Sequence, residues 1–264
     1  MLYAISIWTF LNEKNEICDL IDYFAGNGYN AISLKPQNII SANEEELEKI
    51  KALLSCKNLP VTIHADFDIT IEELAFIFDH FGGFLNCISL DPKCTIDSDG
   101  AFFSSLDLMP VLEYLEYRSI DNNVLFGLED FPLDDNALNN NLYLLSNIVK
   151  CERFGILLDI GHLNLRTSDN EYFRKKGVEQ YIRDIHVPII ELHVHDNDRS
   201  ADQHMPPGKG NLDFALVSKV LNEKQFKNVS TIEISPRLYN SFPDMEKVPA
   251  IEGLQYWKRH LEDQ

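Results

Sequence analysis

Short apolar runs rich in β-branched and aromatic residues alternate along this chain with segments of helical periodicity. The alternation is typical of parallel strands separated by helices. We predict eight strands, at Tyr3–Trp8, Ala31–Leu34, Val61–His64, Cys87–Leu90, Val124–Glu129, Gly155–Asp159, Ile189–His195 and Thr231–Ser235. Helices are predicted between them, for example at Ser41–Leu54, Ile71–Phe81, Asn136–Val149 and Phe214–Leu221.

Eight strand–helix units in a chain of this length predict a (β/α)₈ TIM barrel of the α/β class. A doubly wound sheet is the rival fold. It would more often carry a glycine-rich phosphate loop after the first strand, where this chain has Trp8–Leu11. Because no Pro, Gly or Ser-rich linker interrupts the pattern, we expect residues 1–264 to form a single domain.

The net charge limits the partners that the protein can bind. Its 264 residues include 23 Lys and Arg against 42 Asp and Glu, a formal charge of −19. Binding to nucleic acid or to anionic lipid depends on basic side chains, so the composition disfavours both. A hydrophobic fraction of 45% rules out intrinsic disorder and allows a full-sized core.

The cysteines and the N-terminus indicate a cytoplasmic protein. The five cysteines are an odd number and form no C-x-x-C pair, which argues against a disulfide framework or a zinc ribbon. The chain begins without the features of a signal peptide, and no apolar run reaches the roughly 18 residues that span a bilayer. We therefore expect no membrane partner.

Acidic and histidine side chains recur where the predicted strands end. In a TIM barrel the C-terminal strand ends build the active site, and here six of the eight end in a carboxylate or an imidazole. Each residue alone has an ordinary explanation, such as a helix cap or a hydrogen-bonded core histidine. As a set they are His64, Asp91, Glu129, Asp159 followed by His162, His193 with His195, and Glu233.

Carboxylates clustered in a low-dielectric cavity repel one another unless cations or protons neutralise them. The pattern therefore predicts a divalent metal. Mixed histidine and carboxylate ligands suit zinc, manganese, iron or cobalt, whereas calcium prefers oxygen ligands alone. Near the same barrel mouth, Trp8, Phe10, Phe67 and Phe131 could form an apolar wall for a sugar ring, with ordinary packing as an equal alternative.

Three stretches carry a family resemblance that extends through the chain in strand order. They are His193–Asp198 with the following segment Asp202–Phe214, Leu158–His162, and Leu128–Pro132. Here the sequence resembles the xylose isomerase-like TIM-barrel superfamily. That superfamily includes sugar and sugar-phosphate isomerases and epimerases, and also the type IV AP endonucleases.

The resemblance to the epimerases implies one divalent metal held by Glu129, Asp159, His193 and Glu233, with His162 in contact with the substrate. It also implies that Glu129 and Glu233 act as catalytic acid and base, one removing a proton from the substrate carbon and the other returning one.

The resemblance to the endonucleases implies three zinc ions instead. His64 and Glu129 match ligands of the first ion, and Asp159, His193 and Glu233 match ligands of the second. His162, Asp202 and His204 match ligands of the third. Asp91 departs from that pattern, since it stands where the endonucleases carry a histidine, although a carboxylate can also bind zinc.

Our leading hypothesis is a metal-dependent isomerase or epimerase acting on a small sugar, sugar phosphate or polyol-like substrate. The alternatives are an AP endonuclease-type phosphodiesterase with a multinuclear zinc site, another metal-dependent hydrolase or lyase, and a barrel used only for binding. The number of bound metals separates the first two classes. The sequence leaves open the number of chains in the assembly, a homo-oligomer included.

Overall fold

A computed structural model describes residues 1–11, 16–91, 94–97, 100–103, 108–130, 151–236 and 247–262 of the chain. Its central feature is a closed barrel of eight strands. Each of them pairs in parallel with the strands before and after it in the barrel, and the first pairs with the last. This arrangement confirms the predicted TIM barrel.

The barrel strands lie close to their predicted positions. They are β1 Leu2–Ser6, β2 Ala31–Leu34, β3 Val61–Ala65, β4 Leu85–Leu90, β7 Leu125–Asp130, β8 Phe154–Asp159, β9 Ile189–Val194 and β10 Val229–Ile232. An unpredicted antiparallel hairpin, β5 Cys94–Asp97 with β6 Gly100–Phe103, lies in the connection between β4 and β7.

Helices follow most of the barrel strands. They are α1 Ile17–Gly26, α2 Pro36–Ile40, α3 Glu44–Lys57, α4 Ile71–Phe81, α5 Met109–Asn122, α6 Ile160–Asp169, α7 Glu171–Asp184, α8 Phe214–Glu223 and α9 Val248–Glu262. The predicted helix Asn136–Val149 lies outside the described residues. Within the described part of the chain, no helix is long and apolar enough to cross a membrane.

The interior of the barrel is unusually polar. Apolar side chains between the strands and the helices form the main core, for example Ile32, Leu158 and Trp257. The fully buried polar set includes Ser6, Ser33, Thr62, Ser89, Glu191 and Thr231. Branched aliphatic residues usually dominate the inside of a TIM barrel. Because buried polar groups need hydrogen-bond partners, this interior is specified by a network as well as by packing.

Candidate metal centre

All nine candidate residues from the sequence lie within the described structure, and the barrel brings them together at its C-terminal mouth. Their ligand atoms form overlapping groups in which every atom lies within 4.8 Å of the others. The groups are His64 with Asp91 and Glu129; Glu129 with Asp159 and His193; Asp159 with His195 and Glu233; and His162 with His195, Asp202 and His204.

The central part of the site is formed by Glu129, Asp159, His193 and Glu233, each more than nine-tenths buried. His193 Nδ1 lies 2.9 Å from Glu233 Oε2 and 3.9 Å from Asp159 Oδ2. Asp159 also caps α6, since its Oδ1 accepts a 2.7 Å hydrogen bond from the His162 N–H. This bond fixes the carboxylate at the strand end and leaves Oδ2 directed toward the centre.

Two buried carboxylate oxygens in this group are available to a cation. Glu129 Oε1 and Asp159 Oδ2 are inaccessible to solvent and accept no well-formed hydrogen bond from the described residues. They lie 3.4 and 3.3 Å from His162 Nδ1. Buried oxygens of this kind are costly unless a proton or a metal neutralises them. The donor set therefore fits a divalent ion.

A second part of the site lies on the β3 and β4 side of the mouth. His64 Nε2 lies 3.0 Å from Asp91 Oδ1 and 3.6 Å from Glu129 Oε2. The ring of Trp8 stacks on the His64 imidazole, with 5.9 Å between ring centroids. Glu129 consequently belongs to both the central group and this side group.

The third part is built from the loop that follows β9. Asp202 bridges two imidazoles, because its Oδ2 lies 3.3 Å from His162 Nε2 and its Oδ1 lies 3.2 Å from His204 Nε2. His204 Nδ1 lies 2.9 Å from the backbone carbonyl oxygen of Glu233. A carbonyl oxygen only accepts, so Nδ1 donates its proton and Nε2 is left facing Asp202.

His195 is a further buried histidine to which the sequence analysis gave no role of its own. Its Nε2 lies 3.0 Å from Asp159 Oδ1, and its ring stacks on that of His204 at 3.9 Å. Gly161 makes room for the ring, since a Cβ at that position would lie 2.2 Å from His195 Cε1. The i, i+2 spacing from His193 on an inward strand face was the signal for this placement.

One buried aspartate shapes the loop that carries Asp202 and His204. Asp196 accepts hydrogen bonds from the backbone N–H groups of Gly208, Gly210 and Leu212, at 3.0, 2.8 and 3.1 Å. Its own backbone pairs with Met205 through two 2.8 Å bonds. Gly208 has a φ of +84°, which a glycine adopts without strain. The loop is therefore folded back over the end of β9.

Burial and ion pairing oppose one another in the central carboxylates. Burial raises the pKa of Glu129 above its usual range. Burial would also raise the pKa values of Asp159 and Glu233, but neighbouring histidines outweigh it and lower both pKa values. Burial lowers the pKa of His193, yet Glu233 more than compensates and raises it to about 10. Protonated imidazoles thus balance the acids where no cation is bound.

The outer part of the site shows the same balance. Burial would lower the pKa of His204, but Asp202 more than compensates and raises it to about 9. For Asp202 and Asp91, burial acts to raise the pKa, and the adjacent histidines overcome it and lower both values. His195 differs, because burial dominates and lowers its pKa.

The four candidate aromatics divide between core and mouth. Phe10 is buried and packs edge-on against Phe24, so it belongs to the core and not to a substrate wall. Trp8 lies against His64, and Phe67 is exposed beyond the end of β3. Phe131 lies outside the described residues.

The comparisons with known proteins agree with this geometry. Residues 112–260 match the family described as "Xylose isomerase-like TIM barrel". The chain belongs to this xylose isomerase-like family. A stretch of 116 residues is 33% identical to an uncharacterized protein of Methanocaldococcus jannaschii, covering 43% of this chain and 38% of that relative. The match thus spans well under half of the relative's length.

Solved structures with the same fold include several kinds of protein. The D-psicose 3-epimerase of Clostridium cellulolyticum H10 with D-tagatose has a TM-score of 0.74 at 14% identity, with 99% of each chain covered. A probable 3-DHS dehydratase of Bacillus anthracis has a TM-score of 0.65 at 17% identity, covering 97% of this chain and 99% of that one. The IOLI protein, with a zinc atom, has a TM-score of 0.60 at 18% identity, covering 100% and 97%. At these identities the likeness concerns the fold.

Proposed function

We propose that this xylose isomerase-like protein is a metal-dependent isomerase or epimerase of a small sugar, sugar phosphate or polyol-like molecule. One observation carries the proposal. The barrel mouth presents two buried glutamates, Glu129 and Glu233, each grouped with the same central aspartate, Asp159. The sugar epimerases among the proteins of similar fold support the same class of reaction.

Glu129, Asp159, His193 and Glu233 would hold the metal. Their mixture of carboxylates and one imidazole suits manganese, zinc, cobalt or iron. A bound divalent ion would supply Lewis acidity, polarising a substrate carbonyl and making the adjacent C–H more acidic. Glu129 Oε1 and Asp159 Oδ2, which accept no well-formed hydrogen bond from the described residues, are the atoms that such an ion would satisfy.

The two glutamates would move the proton. One carboxylate takes the proton from a substrate carbon, and the other, in its protonated form, returns one to the opposite face. One proton leaves and one arrives, so the substrate changes configuration without changing composition. His162, next to both Glu129 and Asp202, is placed to contact a substrate hydroxyl.

Metal analysis followed by a sugar screen tests the proposal. The protein is purified without chelator, its metal content is measured, and a panel of ketoses, aldoses and their phosphates is assayed with that metal. We expect about one metal per chain, conversion of at least one sugar, and loss of conversion after chelation. A metal-loaded protein that converts none of the panel would contradict the proposed reaction.

A second candidate function rests on a different observation. The group of His162, His195, Asp202 and His204 offers ligand atoms for an additional metal beside the central one, and His64 with Asp91 offers another. Several adjacent metals favour activation of water, as in an AP endonuclease-type phosphodiesterase or another hydrolase. Two or three metals per chain, with hydrolysis of a phosphodiester, would place this candidate first.

A further inference from the structure

A carboxylate buried inside the barrel lies directly below the candidate metal centre. Glu191 and His193 are two residues apart on β9, so both side chains point into the barrel. Glu191 has no solvent exposure. Glu191 is not among the candidate residues from the sequence. The available signal was an acidic residue within the apolar run of β9. Buried carboxylates are rare unless they are paired or serve a specific purpose.

Donors from three other strands surround Glu191. Thr231 donates a hydroxyl hydrogen bond to its Oε1 at 2.5 Å. The Thr62 hydroxyl lies 3.1 Å from the same oxygen and 2.7 Å from Ser33 Oγ, so it shares its proton between these two acceptors. Ser89 donates to Oε2 at 3.2 Å, and the Cys87 thiol lies 3.7 Å from the same oxygen. Because all four neighbours are donors, they suit an acceptor-only carboxylate.

The bond from Ser89 has a consequence for His64. A serine hydroxyl has one proton, and Ser89 Oγ has two acceptors within reach, Glu191 Oε2 at 3.2 Å and the Ile63 carbonyl oxygen at 3.4 Å. The carboxylate is the nearer and the stronger acceptor, so only the lone pairs of Ser89 remain for His64 Nδ1 at 3.2 Å. His64 must then donate from Nδ1. Its Nε2 is left facing Asp91 and Glu129, at 3.0 and 3.6 Å.

Glu191 also lies next to His193, at ion-pair distance and without a hydrogen bond between them. His193 Nε2 lies 4.0 Å from Glu191 Oε1, while its Nδ1 faces Glu233 and Asp159. The negative charge of Glu191 favours a proton on the nearer imidazole nitrogen, Nε2, and so leaves Nδ1 to face the centre. In metal sites a histidine ligand commonly directs its second nitrogen toward such a carboxylate.

We propose that Glu191 is a positioning residue that sets which nitrogen of His64 and of His193 faces the metal centre. It acts on His193 directly, from two residues earlier on the same strand, and on His64 through Ser89. The inference rests on the proposed metal centre but not on the identity of the reaction. This role explains why polar residues occupy the barrel interior, where aliphatic side chains would stabilise the fold more.

The test combines zinc affinity with the protonation pattern of the imidazoles. Glu191→Gln, Ser89→Ala and the control Ser6→Ala are compared with the unmodified protein. Ser6 is an equally buried barrel hydroxyl that, among the described residues, donates to the Ile232 carbonyl. Zinc dissociation constants are measured by competition with a chromophoric chelator. Imidazole ¹⁵N shifts of the metal-free protein report which His64 nitrogen carries the proton.

We expect Glu191→Gln to weaken zinc binding on the order of 10- to 100-fold, the usual effect of removing a group that orients a metal ligand. Ser89→Ala should move the His64 proton away from Nδ1 and weaken zinc binding less, because His193 is unaffected. Ser6→Ala should change neither. A loss of packing alone would lower the melting temperature without moving the His64 proton.

Wild-type zinc affinity in Glu191→Gln, with His64 still protonated at Nδ1, would overturn the proposal. If Glu191→Gln does not fold, Ser89→Ala is the deciding variant. If His64 in Ser89→Ala still carries its proton on Nδ1, the proposal is also overturned. If the protein binds zinc but converts no sugar, the proposed reaction is contradicted, whereas the positioning role of Glu191 is not. If the unmodified protein binds no zinc, the proposed metal centre fails and this assignment, which rests on it, is overturned with it.

Discussion

Glu129 and Glu233 are chemically identical side chains that the barrel places in different surroundings. In the metal-free protein burial would raise the pKa of Glu233, but protonated His193, 2.9 Å from Oε2, outweighs burial and lowers it. Glu129 lies between His64 and His162 at longer distances, and burial dominates its pKa. Paired acids in unlike environments are typical of sites where one group donates a proton and the other accepts one.

Replacing either glutamate with glutamine should abolish turnover and keep the fold. Glutamine preserves the shape but cannot transfer a proton, so we expect Glu129→Gln and Glu233→Gln each to lower the rate on the order of 10² to 10⁴-fold. The rate is measured at full metal occupancy on a sugar that the screen identifies. Glu73→Gln, which alters an exposed helix cap, is the control. Near wild-type activity in either site variant would exclude the proton-transfer role.

At the scale of the element, the loop between β9 and α8 determines whether the outer ligand residues of the site reach the barrel mouth. Asp202 and His204 reach the mouth only because the loop folds back, and Asp196 is the buried acceptor that holds it there. The antiparallel contact between Asp196 and Met205 adds two backbone bonds. The loop is therefore a structural part of the candidate metal centre.

Asp196→Ala should loosen this loop and remove the outer metal-binding group. Three backbone N–H groups, of which that of Leu212 is buried, would lose their shared acceptor, and we expect the free energy of unfolding to fall by about 3 kcal/mol. Urea denaturation of the metal-free protein measures the loss. Asp198→Ala, in the same loop but exposed, should have a much smaller effect. If Asp196→Ala unfolds at the same urea concentration as Asp198→Ala, Asp196 does not hold the loop in place.

At the scale of the whole molecule, charge separates the two candidate reactions. An enzyme that grips duplex DNA makes many phosphate contacts, and this chain carries a net charge of −19. The acidic residues at the mouth add to the repulsion, because the phosphate groups of DNA would approach a site already rich in carboxylates. A small sugar, bound through its hydroxyls and a carbonyl, meets no such barrier.

The zinc-loaded protein should neither bind nor cut an abasic duplex, even at low salt. A small sugar should instead raise the melting temperature by mass action, and this shift should require metal and vanish in His193→Ala. Incision and melting are measured across a range of salt concentrations. Salt-sensitive incision that disappears in His204→Ala would reverse the ranking and favour the nuclease.

The helices show how far local signals reach. The predicted helix Ile71–Phe81 is confirmed at both ends. Its start is fixed by Thr70 and Glu73, which cap it reciprocally. The segment predicted as Ser41–Leu54 begins instead at Glu44, where Asn43 accepts from the Glu46 N–H, and continues to Lys57. A local hydrogen bond therefore sets where this helix starts, and the predicted type of element is unchanged.

Strand ends depended more on distant contacts. The strand predicted at Ile189–His195 stops at Val194, because Asp196 turns away to pair with Met205. The last strand was expected at Thr231–Ser235 but spans Val229–Ile232. Its register is set by pairing with β1 and β9, whose residues are far away in the chain.

The sequence by itself determined the order of the elements and the chemistry of the mouth, because periodicity and the residues that end a strand are local properties. Only the tertiary structure decided which nitrogen of His64 and of His193 faces the centre. That outcome depends on Glu191 meeting Thr62, Ser89 and Thr231, residues that separate strands contribute. Their meeting follows from closure of the barrel, which brings inward-facing side chains from distant parts of the chain within hydrogen-bonding distance.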